Sequence, residues 1–338
     1  MTISYEEKLK PGRGDKDVLR REFIGASLLA CVAARARAGG QEWPARPIRL
    51  IVPFPPGGLI DRMARLLGPK LAQSLGQPII IDNRPGAGGN LGAGEAARAA
   101  ADGYTLLMAS PPLTISPAIY KSLPYQLAQI EPVSMLGRVQ NVMLVNARSP
   151  IHTVAELSQA ARAEPGRMNY GSNGNGTSLH LCMELYKRIS GVQITHVPYR
   201  GAAGAMTALL AGEVDVMFDN LPSALSHIRA GTIRALAVTA RERSAVLPDV
   251  PTMIEAGVPG FDVTAWFGIA APAHLPAAVL EKLRPALAEL AAAPEIVTAM
   301  RDQGAEPYLL QQDPLREFWT ADAARWRELA SAAGIVLD

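Results

Sequence analysis

Four short stretches carry residues able to grip a ligand, and each follows an apolar run. They hold Phe54, Pro55, Pro56, Gly57 and Gly58; Ser110, Pro111, Pro112 and Thr114; Ser172, Gly174, Gly176 and Thr177; and Tyr199, Arg200 and Gly201. Between them they offer backbone amides, hydroxyls and glycine, and none contains a cluster of acids, bases or thiols. Oriented amides and helix starts of this kind hold an oxyanion without a formal countercharge. Any one of the four is also ordinary turn chemistry; four at matching strand ends are harder to assign to turns alone.

Individual side chains narrow the chemistry. Asp61 sits where the first turn of a helix is expected, and helix-dipole complementarity accounts for an acid there. Asp219 follows a strand and could accept a hydrogen bond from a ligand or cap a turn. Arg200 is the only cation in the four stretches; it could pair with a carboxylate or face solvent. The 171–177 segment lacks the Gly-x-Ser-x-Gly order of a nucleophile elbow and the lysine of a phosphate-binding Walker loop. His152, His180, His196, His227 and His274 show no metal-ligand spacing, so no metal or cofactor is expected. His180 lies one turn beyond Thr177 and could reach a ligand. Ser172 with His180 would serve an exported hydrolase, but no acid is placed to complete a triad. The glycines at 86, 88, 89, 92 and 94 miss dinucleotide-binding spacing and suit close helix–sheet packing.

These residues need strands and helices to position them. The run 48–52 reads as a buried strand. Ile60, Met63, Leu67 and Leu71 then fall at helical spacing, with Pro69 expected to kink or break that helix. Strands are expected over 78–82 and 104–109, the first of them buried, with a helix over 91–101 between them. Such alternation predicts a parallel sheet flanked by helices, with ligands at the C-terminal strand ends. Further strands are expected over 142–146, 168–170, 194–197, 214–218, 233–238 and 267–271. Helices are expected over 154–164, 179–190, 203–211, 276–293, 295–303 and 314–333. Trp319 and Trp326 lie seven residues apart on the last of these, a spacing that suits packing. The order fits a first domain over 43–141 and 266–338, with a second domain over 142–265 inserted into it.

Composition bounds the function further. The chain has 338 residues, 49% of them hydrophobic and 5% aromatic; so few aromatics argue against a stacking platform for nucleic acid. Net charge is +2, but residues 1–38 hold eight Lys/Arg against five Asp/Glu, which leaves 25 against 26 for the remainder. No basic run suggests nucleic-acid binding. Residues 1–38 have the layout of an export signal: Arg20-Arg21 before Phe23, a short apolar run, and Ala36-Arg37-Ala38 for cleavage near Ala38. The paired arginines suit the twin-arginine route, and Cys31 offers a lesser lipoprotein option. The expected location is the periplasm. Cys182 would then be the only cysteine left.

With these residues in view, the chain resembles the Bug family, extracytoplasmic solute-binding receptors of tripartite tricarboxylate transporters. The resemblance is carried by Pro47, Pro53, Phe54, Gly57, Gly58 and Asp61, by Asn83-Arg84-Pro85-Gly86-Ala87-Gly88-Gly89-Asn90, and by Asp102-Gly103-Tyr104. It continues through Tyr170-Gly171-Ser172, Val197-Pro198-Tyr199-Arg200-Gly201, Gly212-Glu213-Val214-Asp215 and Arg234-Ala235-Leu236-Ala237-Val238. It implies an α/β protein of the type II periplasmic binding protein fold, with two α/β domains and a ligand cleft between them. It also implies a monomer that captures a small organic carboxylate by hinge closure and delivers it to the membrane components of the transporter. A ligand-sensing partner of a membrane signalling protein is the alternative. The contacts it implies are Phe54, Pro55, Pro56, Gly57, Gly58, Ser110, Ser172, Gly174, Gly176, Thr177, Tyr199 and Gly201. Pro56 departs from the family's usual small residue and removes an amide donor.

Overall fold

The computed structural model describes residues 42–337, so the expected export signal lies outside the described residues. The chain divides at Ala45/Arg46, and the body from Arg46 onward holds the fold. Its first strands, β1 (Ile48–Val52), β2 (Ile79–Asn83) and β3 (Thr105–Ala109), lie parallel in the order β2-β1-β3. Each leads toward a helix: α1 (Leu59–Leu75), α2 (Asn90–Ala97) and α3 (Pro112–Ile119). α1 buries Ile60, Met63, Leu67 and Leu71, and it runs through Pro69 as one helix rather than breaking there. Pro69 and Arg65, whose carbonyl loses its helical partner, are both exposed, so water can satisfy that group. β2 is not the buried strand expected; it is the sheet edge, and Ile80 is 53% exposed.

The centre of the molecule is β4 (Ile130–Asn146), which begins well before the 142–146 expected from sequence. Pro132 and Gly137 interrupt the apolar pattern, and register irregularities fall beside both of them. Its first part, up to Gln140, pairs with β9 (Thr264–Pro272) and, on its other side, with β10 (Ala305–Gln311). From Asn141 onward it pairs with β7 (Val216–Asn220) and β8 (Ile233–Val238). The strand thus passes from one lobe to the other. The second lobe adds α4 (Val154–Ala163), β5 (Asn169–Ser172), α5 (Ser178–Ser190), β6 (Thr195–Pro198), α6 (Ala202–Ala211) and α7 (Leu221–Arg229). β5 pairs in parallel with β6 and β7, whereas β9 runs antiparallel to both β3 and β4. The sheet is therefore mixed, not wholly parallel as the βα rhythm predicts. α3, α7 and β10 are not among the elements expected from sequence.

Packing follows the strand period of two. On β4, Met143 and Val145 enter one core while Val142 and Leu144 enter the opposite one; on β7, Val216 and Phe218 alternate with Met217 in the same way. After α8 (Ala277–Ala292) and α9 (Pro294–Asp302), the chain ends in α10 (Gln312–Ala333). Leu315 and Trp319 of α10 belong to the first lobe's core, and Trp326 and Ala330 to the second lobe's. The two tryptophans therefore serve different lobes.

Asp322 fixes α10 in place. Its buried carboxylate lies 2.6 Å from the Thr114 hydroxyl on α3 and accepts the Trp266 indole N–H of β9 at 3.0 Å. Asp322→Ala orphans the buried Trp266 indole N–H and leaves the Thr114 hydroxyl only the Pro111 carbonyl, so a loss of about 1–3 kcal/mol is expected. Urea unfolding would measure it, and an unchanged midpoint would show that α10 is held by apolar packing alone.

Candidate ligand-binding site

The C-terminal strand ends of both lobes face one chamber. From the first lobe it is lined by Phe54, Pro55, Pro56, Gly58, Leu59, Ile60, Ser110, Pro111, Pro112, Ala265 and Trp266. From the second come Asn173, Thr177, Ser178, Gly201, Ala202, Ala203 and Asn220. None of these side chains carries a charge. Five helices begin here: α1 after Gly58, α3 after Pro111, α5 after Thr177, α6 after Gly201 and α7 after Asn220.

Helix heads leave amides unpaired, and the hydrogen bonds show which remain for a ligand. In the 54–58 loop, Pro55 and Pro56 have no N–H. The Gly57 amide donates to Asp61 at 3.0 Å, and the Asn83 side chain donates to both Asp61 and the Phe54 carbonyl. Asp61 is buried and also receives Arg65. It locks this loop from behind, and Asp61 and Gly57 do not line the chamber. The first helical bond of α1 runs from Arg62 to Gly58, so the amides free to face the chamber are those of Gly58, Leu59 and Ile60. No side chain caps α1 or α6, and Ala202 and Ala203 of α6 present theirs to the same space. The Thr177 hydroxyl caps α5 at the His180 amide, which leaves Ser178. α3 opens on two prolines and contributes Ser110 rather than amides.

The remaining candidates lie behind the wall. Ser172 is fully buried, and its hydroxyl is 2.6 Å from His196 Nε2, so it pairs with His196 rather than with the His180 of the hydrolase alternative. His180 stacks on His196 with ring centroids 4.3 Å apart, and Tyr170 stacks on His196 at 4.6 Å. His180 Nδ1 receives the Gly176 amide at 3.4 Å. Together these groups brace the 172–177 loop from beneath. Asp219 is buried and accepts the Asn220 amide at 2.8 Å. Ser172, Gly176, His180 and Asp219 therefore support the site rather than line it. Gly174, Tyr199 and Arg200 line an adjoining outer cavity, which also takes in Gly86, Ala87, Gly88 and Gly89. The sequence reading missed Asn173, Ser178, Ala202, Ala203, Asn220 and Trp266. Asn173, Ser178, Ala202 and Asn220 directly adjoin residues already singled out, Ala203 is one position further on, and Trp266 lies on a strand with no local signal of a ligand.

The lobes touch at the mouth. Tyr120 Oη donates to the Asn175 carbonyl at 3.1 Å. A side chain on Gly88 would lie 2.4 Å from that same carbonyl, and one on Gly201 would meet Pro55 at 3.0 Å. Both glycines have positive φ, so backbone conformation and close approach require them equally.

Two α/β lobes with helix heads converging on a cleft between them have the architecture of periplasmic binding proteins. Residues 63–335 match the family model described as "Tripartite tricarboxylate transporter family receptor", and the chain belongs to that family. A Rhodopseudomonas palustris protein, Rpa4515, solved with adipate, superposes with a TM-score of 0.84 at 37% identity, over 87% of this chain and 99% of that one. The periplasmic binding protein BugD superposes at 0.83 with 32% identity, over 87% and 99%. MatC from R. palustris with bound malate gives 0.79 at 33% identity, over 85% and 99%.

The histidine stack makes a pH prediction. Burial lowers His180 to about 4, and burial with the neighbouring His180 charge lowers His196 to about 3. The groups facing the stack are Tyr170 from β5 and Glu184 and Lys187 from α5. An unfolded histidine binds a proton near pH 6.5, roughly its free value, while the folded one stays neutral to a lower pH. The unfolded chain then holds more protons, and stability falls as pH drops from about 6.5 toward about 4. Asp219, raised by burial to about 7, acts in the opposite sense: it favours the folded state at low pH and loses that contribution as pH rises toward 7. Asp322, also raised by burial, acts in the same sense as Asp219, so substitution rather than the net acid limb isolates the histidine contribution. His196→Gln should flatten the acid limb of the melting-temperature profile; an unchanged slope would overturn this assignment.

Proposed function

We propose that the chain is a periplasmic receptor that captures a small organic carboxylate by closure of its two lobes and delivers it to a tripartite tricarboxylate-type membrane transporter. The observation that carries this reading is the uncharged chamber ringed by helix N-termini. It offers amides from α1, α5 and α6, hydroxyls from Ser110 and Ser178, and the side chains of Asn173 and Asn220. A carboxylate has oxygens to match such donors, and each N–H bond to a charged acceptor contributes about 1.5–3 kcal/mol. Adipate and malate in the related structures support the ligand class. The export signal read over 1–38 and the periplasmic relative support the location. Binding rather than catalysis fits a chamber whose nearby serine and histidines are buried in its supports.

The same reading takes 43–141 with 266–338 as one lobe and 142–265 as the other. The hinge then lies where β4 changes partners after Gln140 and where the chain returns between β8 and β9. Phe54, Pro55, Pro56, Gly58, Ser110, Thr177 and Gly201 are the ligand contacts retained from the sequence.

Calorimetry with a panel of mono-, di- and tricarboxylates tests the ligand class; carboxylates should bind and their carboxamides should not. Ala202→Pro isolates the amides. Proline is tolerated at the first position of a helix but removes the N–H. It should weaken binding roughly tenfold or more, the equivalent of one lost charge-assisted bond, with melting temperature preserved. A panel in which no carboxylate binds would overturn the proposal.

A further inference from the structure

The loop from Ser172 to Thr177 is a wall of the chamber and the second lobe's side of the mouth. It carries Asn173 and Thr177 into the chamber lining, with Ser178 directly after it, and its Asn175 carbonyl receives Tyr120 Oη from the first lobe. It has no slack on that side: a side chain at Gly176 would lie 2.8 Å from both Ile119 and Tyr120. Where this loop sits therefore decides where three chamber residues stand.

Two rings beneath the loop hold it, and the hydrogen bonds fix how. The Gly174 carbonyl receives the Thr177 hydroxyl at 2.8 Å and the Thr177 amide at 3.4 Å. A carbonyl has two lone pairs, so Ser172 Oγ, 3.3 Å away, finds both already used. The Ser172 hydroxyl proton goes instead to His196 Nε2 at 2.6 Å, while its oxygen accepts the Gly174 amide at 3.2 Å. His196 Nε2 is then an acceptor, and the ring proton is on Nδ1. His180 has the opposite arrangement. Its Nδ1 accepts the Gly176 N–H at 3.4 Å, so its proton is on Nε2. Burial keeps both stacked rings neutral at neutral pH.

Resting on the carboxylate reading above, we propose that His196 and His180 are positioning residues for the ligand: neutral rings of opposite tautomer that hold the 172–177 loop through two acceptor nitrogens and so place Asn173, Thr177 and Ser178 in the chamber. Neither ring lines the chamber. His196 acts through the Ser172 hydroxyl, and His180 acts through the Gly176 amide. Stacking adds the fixed spacing: the two rings lie on β6 and α5, so the loop that joins β5 to α5 is referred to both elements at once. Tyr170, one pair of residues along β5 from Ser172, stacks on His196 and sets that ring's plane.

Nitrogen-15 spectra of histidine-labelled parent chain read the tautomers directly. At neutral pH His196 should carry its proton on Nδ1 and His180 on Nε2, each assigned by its loss in a variant. Calorimetry with the carboxylate panel then compares the parent with Ser172→Ala, His196→Leu, His196→Gln and the Ser172→Ala/His196→Leu pair. Ser172→Ala and His196→Leu should each weaken the best-binding carboxylate roughly tenfold. The pair should lose no more than either alone, since both remove one bond. His196→Gln, whose Oε1 can accept where Nε2 did, should return affinity to within about threefold of the parent. His180→Asn should likewise bind more tightly than His180→Leu, its Oδ1 replacing Nδ1. Like tautomers in the two rings, additive losses in the pair, or glutamine binding as weakly as leucine would each overturn the inference while the carboxylate reading stands. Should a leucine variant fail to fold, the tautomers and the Ser172→Ala and His196→Gln affinities decide the matter. A parent that binds no carboxylate removes that reading and this inference with it.

Discussion

Backbone amides that a helix cannot use internally are the constraint on which the rest of this structure depends. In a parallel βα unit, the C-terminal end of the strand and the start of the next helix share one edge of the sheet. β1 to β3 supply that edge in the first lobe, and β5 to β7 supply it in the second. Set face to face, the two edges converge their helix starts on one space. Most details around the cleft serve to keep those amides available. Asp61 takes the Gly57 amide and fixes the loop, so that Gly58 and the first turn of α1 stay open. Thr177 caps its own helix at His180 and leaves Ser178.

The second requirement is that the two edges belong to connected lobes. β4 meets it by belonging to both lobes, with its partners exchanged at Gln140/Asn141. A buried polar group marks the crossing. The Asn141 side chain donates to Cys182 Sγ and receives the Asn220 side chain at 2.7 Å, and its amide donates to Thr239 at 2.9 Å. Asn220 also lines the chamber. The crossing strand is thus hydrogen-bonded directly to a residue that lines the chamber. α10 makes a second link, with Leu315 and Trp319 in one core and Trp326 and Ala330 in the other.

The sequence made the βα units legible because their signals are local. Ile60, Met63, Leu67 and Leu71 mark α1 by period, and glycine, proline and serine mark the loops after the strands. What was not legible depends on partners far along the chain. Nothing between 130 and 141 announces a strand, because Pro132 and Gly137 are tolerated only where β9 and β10 flank the bulges. Sheet direction was misread for the same reason: β9 enters between β3 and β4 from more than a hundred residues downstream. The site was read as loops, and the loops are there. The choice between lining and supporting residues was not readable. Ser172 and Gly174 are two positions apart, yet one is pinned to His196 and the other faces the outer cavity.

Neutrality of the inner chamber spares the protein a buried, unpaired charge. A buried arginine in the chamber would have to shed its water each time the cleft opened or closed, and in the empty protein it would be left without a partner, at a cost of several kcal/mol. Amides at helix heads avoid this: their dipoles are fixed by the helix, and water satisfies them when the ligand leaves.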